Sequence, residues 1–179
     1  MKNGDTITLR QTYEVTPIPV YNYSPEEYPM DTAEELQALI DSISGQMEDL
    51  AVVNLHLPPV TYEGGVTIQD WKLNLYGSTD EAGNRTTFTG PVRALTPYSN
   101  ITYFYDMDFV GDGTDIGINT PVKAWPVGCT FTGNGTGILL ESVPTDITMV
   151  FDGTVFSNNG TDLDNRCDHP IDTTNAVFQ

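Results

Sequence analysis

The chain has 179 residues and carries 25 acidic against 7 basic side chains, a formal net charge of −18. Coulomb repulsion then opposes a nucleic-acid backbone or an anionic membrane surface as the main partner, and neither nucleic acid nor membrane is expected to bind. With 39% hydrophobic residues the chain can build a core, and its 16 glycines and 12 prolines favour strands and turns over a helical bundle.

In chain order, Met1-Lys2-Asn3-Gly4-Asp5 leads into Thr-rich sequence rather than an apolar stretch, so no signal peptide is read there. The expectation is a fragment of a longer extracellular or cell-surface chain. No apolar run reaches the roughly 18 residues of a membrane-spanning helix. Residues 1–30 hold a short alternating segment, Thr6-Ile7-Thr8-Leu9-Arg10, and then Pro17, Pro19, Pro25 and Pro29 among Tyr13, Tyr21, Tyr23 and Tyr28. Such proline density prevents a helix and interrupts a sheet ladder. This reads as an extended arm on the domain surface or on a neighbouring copy, offering self-association, or as a linker without fixed structure.

Residues 31–49 predict the one good helix. Thr32 and Glu35 fit a capping box, and Leu36, Leu39, Ile40 and Ile43 make one apolar stripe, with Glu34, Gln37 and Asp41 opposite. Gly45 can end it. From about residue 50 to 166 the pattern changes to short strands broken by Gly, Pro, Asn and Asp, such as Val52–Leu57 and Trp71–Gly77. Residues 167–179 read as a tail. Cys129 and Cys167 are too few for a disulfide framework; free thiols are expected, with Cys129 in the core.

The later half repeats. Phe109-Val110-Gly111-Asp112-Gly113-Thr114, Phe131-Thr132-Gly133-Asn134-Gly135-Thr136 and Phe156-Ser157-Asn158-Asn159-Gly160-Thr161 share one order, and their phenylalanines stand 22 and 25 residues apart. That period marks a solenoid, whose units bury their apolar faces only by stacking. The three phenylalanines are expected to pile up at the strand spacing of about 4.8 Å, with Asp112, Asn134 and Asn159 stacked at a corner. Alternation puts Tyr103, Tyr105, Met107 and Phe109 on the buried face, repeated by Trp125, Val127, Cys129 and Phe131. Phe104, Asp106 and Asp108 fall on the wet face.

The helix Glu34-Glu35-Leu36-Gln37-Ala38-Leu39-Ile40, the segment Val53–Glu63, the strand Leu73-Asn74-Leu75-Tyr76-Gly77 and the Asn-Gly-Thr repeats together resemble the right-handed parallel β-helix proteins of the pectate-lyase-like superfamily, over about residues 31–165. The resemblance implies an all-β chain: a right-handed parallel β-helix of about five coils with an N-terminal capping α-helix. Many such proteins are polysaccharide lyases or glycoside hydrolases that work from a groove on one sheet. Lyases of this kind use calcium-binding carboxylates and a basic proton acceptor. The hydrolase signatures Gly-His-Gly, Asp-Asp and Arg-Ile-Lys are absent here.

The candidate catalytic set is Asp106 and Asp108, about 7 Å apart on one strand face, with Lys72 one coil earlier and Arg93 or Lys123 near the same face. Paired carboxylates beside a cation could bind Ca²⁺ and activate a uronate. A plain solvated strand face is the competing reading. The acidic turns Asp112–Asp115 and Asp162–Asp164 offer calcium oxygen ligands, with Asp112 and Asp115 the metal candidates; otherwise no cofactor is expected. Phe104, Lys72 and Tyr98 are the carbohydrate-contact candidates. His56 is read as an outward surface histidine. The expected function is a non-catalytic, carbohydrate-binding or structural β-helix module. The alternatives are a Ca²⁺-dependent lyase or hydrolase of acidic polysaccharide, and an oligomeric fibre protein.

Overall fold

The computed structural model describes residues 16–44, 51–69, 73–95, 102–114, 116–120, 124–141 and 149–179. An N-terminal strand β1 (Val20–Tyr23) precedes the helix α1 (Ala33–Ser44). The first turn follows with β2 (Val52–His56), β3 (Thr61–Tyr62) and β4 (Thr67–Gln69). The second turn holds β5 (Asn74–Tyr76), β6 (Thr87–Phe88) and β7 (Val92–Leu95). The third holds β8 (Thr102–Tyr105), β9 (Asp108–Val110) and β10 (Ile116–Thr120). The fourth holds β11 (Ala124–Val127), β12 (Thr130–Thr132) and β13 (Thr136–Leu140). A partial fifth turn adds β14 (Val155–Ser157) and β15 (Thr161–Asn165), and β16 (Val177–Phe178) ends the chain.

All the pairings between these strands are parallel. The first sheet runs β1-β2-β5-β8-β11, the second β3-β6-β9-β12-β14-β16, and the third β4-β7-β10-β13-β15. This is a parallel β-solenoid of about 4 turns with a short N-terminal helix. The fifth coil expected from the sequence gives, among the described residues, strands to the second and third sheets alone.

Inward side chains of all three sheets meet in one core. The predicted phenylalanine pile is present: Phe109 and Phe131 stack at 4.7 Å and 5°, Phe131 and Phe156 at 5.0 Å and 12°. It is also longer than expected, because Tyr62 and Phe88 extend it at one end and Phe178 at the other. Each buried ring contributes about 1.5–3 kcal/mol by leaving water. The expected corner stack also forms in part. Asn134 Nδ2 donates to Asn159 Oδ1 at 3.0 Å and to the Phe109 carbonyl at 3.0 Å, and Asn159 Nδ2 donates to the Phe131 carbonyl at 3.0 Å. These side-chain amides tie each corner to the strand one turn before it.

The helix closes the N-terminal end. Leu36, Leu39, Ile40 and Ile43 are buried in the same core as Val53 and Leu55. Its cap departs slightly from the expected box: Thr32 Oγ1 accepts from Glu35 N at 3.2 Å, but Glu35 Oε2 accepts from Asp31 N rather than from Thr32 N. Gln37, expected on the solvent side, instead reaches β4. Its Nε2 donates to the Thr67 carbonyl at 2.9 Å and its Oε1 accepts from Thr67 N at 2.7 Å. The side-chain amide thus mimics one residue of a neighbouring strand on the first edge of the third sheet.

The alternation expected through residues 103–109 is correct at one end only. Met107 and Phe109 are buried, but so is Phe104, while Tyr103 and Tyr105 sit half-buried on the outer side. The same holds a turn later, where Cys129 and Phe131 are buried with Ala124 and Pro126, and Trp125 and Val127 are half-buried. The cause is a corner between β8 and β9. Asp106 has φ 56° and Gly128, its successor one turn on, has φ 64°. A left-handed residue breaks the two-residue period, so inward positions on its two sides differ by an odd number.

Candidate functional site

Outward residues of the first sheet stand in register from turn to turn. Asn22, Asn54 and Asn74 form one column. Asn54 Nδ2 donates to Asn22 Oδ1 and Asn74 Nδ2 to Asn54 Oδ1, each at 2.9 Å. Tyr103 and Trp125 continue that column. Beside it runs a second one of His56, Tyr76 and Tyr105.

The rings of the second column stack. His56 and Tyr76 lie 5.1 Å apart at 18°, and Tyr76 and Tyr105 lie 4.6 Å apart at 8°. Tyr103 is parallel to Tyr105 at 5.9 Å, whereas Trp125 meets Tyr103 near-perpendicularly, at 4.9 Å and 76°. Parallel in-register strands force this ladder, since like positions recur at one strand spacing. Partial burial raises the phenol pKa of Tyr103 and Tyr105, with a smaller contribution from neighbouring tyrosines. Both therefore stay protonated, as hydrogen-bond donors, at neutral pH. A concavity of ≈ 340 Å³ opens on this face, lined by Val52, Val53, Asn74, Tyr103 and Tyr105. Its size falls at the lower end of small-ligand sites.

The candidate catalytic set takes a different arrangement. Asp106 and Asp108 do not share one strand face, because Asp106 is the left-handed corner and Asp108 opens β9. The position one turn before Asp106 is Gly77, whose N–H donates to the Tyr105 carbonyl at 2.7 Å, and not residue 72. Arg93 is exposed on β7 of the third sheet, paired in register with Thr67 and Asn119, while Asp108 lies on the second sheet. The cation beside Asp108 is instead Arg85, 3.2 Å away, whose other amino group donates to the Gly128 carbonyl at 2.8 Å. That pair braces a corner across turns. Lys72, Tyr98, Lys123 and Asp115 lie outside the described residues.

Phe104 is fully buried, so as a sugar contact it is corrected: it points into the core and meets Phe109 edge-on at 5.9 Å. The carboxylate of Asp112 accepts from Thr114 N at 3.0 Å and Thr114 Oγ1 at 2.6 Å, a local turn. Asp162 accepts from Asn159 and Asp164 pairs with Arg166 at 2.8 Å. Among the described residues, no group of three or more His, Cys, Asp or Glu side chains converges as a metal site. His56 is exposed, as expected, and Cys129 is a buried free thiol. Burial pushes the Cys129 thiol up to about 12, which keeps it a packed, unreactive thiol at neutral pH.

Of the rings on this face, the sequence offers Tyr76 as one that can stack on a sugar, whereas Tyr103, Tyr105 and Trp125 were expected inside and the columns themselves were missed. Their signal was present: Asn54-Leu55-His56 and Asn74-Leu75-Tyr76 repeat one outward-inward-outward triplet, and Tyr103-Phe104-Tyr105 is its aromatic version. No family model, curated protein or solved structure matches the chain.

Proposed function

We propose that this chain is a non-catalytic, carbohydrate-binding β-solenoid module of a surface or secreted protein, and that the outer face of its first sheet makes the contact. The observation that carries the reading is the column of Asn54, Asn74, Tyr103 and Trp125 beside that of Tyr76 and Tyr105. Sugars present C–H faces to aromatic rings and hydroxyls to amides and phenols, so a surface alternating these groups fits them. A rigid parallel sheet holds the groups in place before the ligand arrives, which lowers the ordering cost of binding. The non-catalytic part rests on the separation of Arg93 from Asp108 onto different sheets and on the engagement of Asp108 by Arg85.

A glycan array probed with the whole chain tests this reading. Retention on polysaccharide spots is expected, weakened severalfold by the double substitution Tyr103→Ala and Tyr105→Ala. Loss of the parent's binding across the array ends the carbohydrate reading. Growth of unsaturated-uronide absorbance on incubation with acidic polysaccharide replaces it with the lyase.

A further inference from the structure

We infer that the glycan this face accepts is neutral, and that Trp125 provides the ring on which a sugar packs while Asn74 and the tyrosine hydroxyls bind its oxygens. The inference rests on the carbohydrate reading above and narrows it.

Charge supplies the first argument. The described outward positions between Val52 and Trp125 on the first sheet are amide, phenol, indole or aliphatic, with His56 as the one imidazole. They sit on a chain of net charge −18. A polyuronate would bring its carboxylates to a face with no described guanidinium or ammonium group, against the field of the whole molecule. A neutral chain meets neither cost.

Ring geometry supplies the second. Tyr76 and Tyr105 are stacked on each other at 8°, so their facing π-surfaces are already used. Trp125 is turned by 76° from Tyr103, so no parallel ring covers its face among the described residues. Its Nε1 is buried, so a ligand meets the indole through its π-face rather than through its N–H. Asn74 spends an amide hydrogen on Asn54, and its carbonyl oxygen is placed to accept from a sugar hydroxyl beside the concavity it lines.

Affinity electrophoresis tests this with gels containing galactomannan, xyloglucan or hydroxyethyl cellulose, and parallel gels containing polygalacturonate or alginate, at about 0.02 M and about 0.5 M NaCl, either side of physiological screening. The expected result is retardation in at least one neutral gel, changed less than about twofold by salt, and none in the polyuronate gels. Trp125→Ala is expected to weaken that retardation roughly tenfold, the upper range for one aromatic contact, and Trp125→Phe by a smaller factor. Circular dichroism confirms that each variant is folded, and Trp125→Phe carries the test if Trp125→Ala does not fold. Retardation by polyuronates alone overturns the neutral assignment while leaving carbohydrate binding in place. Retardation in no gel overturns both. Undiminished neutral binding by a folded Trp125 variant overturns the role of Trp125.

Discussion

Asp106 and Gly128 occupy the same corner in successive turns, and each has a left-handed backbone. Asp is among the few side-chain-bearing residues that adopt it readily, through short-range hydrogen bonding, and glycine adopts it without steric cost. At Gly128 a second constraint applies: a Cβ there would lie 2.3 Å from Asp106 Oδ1. Gly128→Ala is therefore expected to cost about 1–3 kcal/mol, the usual range for a strained backbone site. Urea denaturation should show a lowered midpoint with unchanged slope; an unchanged midpoint would mean that the corner relaxes freely. The corner also explains why Asp106 and Asp108 looked like a pair. Spacing in sequence implies a shared face only while the strand continues, and here it ends between them.

The edges of the sheets are managed element by element. The third sheet begins at β4, and Gln37 of α1 bonds both backbone groups of Thr67 there. Gln37→Ala leaves an edge N–H and carbonyl without that partner, and a loss of about 1–2 kcal/mol is expected from two hydrogen bonds. Thermal melting followed by circular dichroism measures it, and an unchanged melting temperature would show that water substitutes fully. At the other end of the same sheet, β15 carries Asp162 and Asp164, charged residues of the kind that discourage pairing with a further strand. The arm takes part too. β1 pairs with β2 in parallel register, so residues 20–23 join the first sheet rather than lying apart from the fold. Prolines at 17 and 19 sit just before it, where no ladder bond from their nitrogens is needed.

Across the whole molecule, one aromatic column links every turn. It runs from Tyr62, whose hydroxyl donates to the buried Met30 carbonyl at 2.7 Å, through four phenylalanines to Phe178, which is 48% exposed. A solenoid has no separate centre, so interior rings are held from both sides and end rings from one. Phe131→Ala is expected to cost about 3–5 kcal/mol, as for a fully buried ring. Phe178→Ala should cost less than about 1.5 kcal/mol, since much of its surface stays in water. Equal losses in denaturant unfolding would contradict a column with a tight middle and an open end.

Periodic features were readable from the residues alone. The 22- and 25-residue spacing of Phe109, Phe131 and Phe156, the stripe of α1 and the asparagine corners each repeat a local pattern, and stacking preserves such patterns because each turn meets only its neighbours. The earlier part of the column was also written there, since Thr87-Phe88-Thr89-Gly90 matches Thr130-Phe131-Thr132-Gly133 and Phe88 stands 21 residues before Phe109. What only the tertiary structure decided is which side of each strand faces out. One left-handed residue per turn shifts that choice by a position: Asp106 buries Phe104 and turns Tyr103 and Tyr105 outward, and Gly128 does the same for Trp125. The candidate glycan face therefore depends on a backbone angle that Asp106 permits but does not announce.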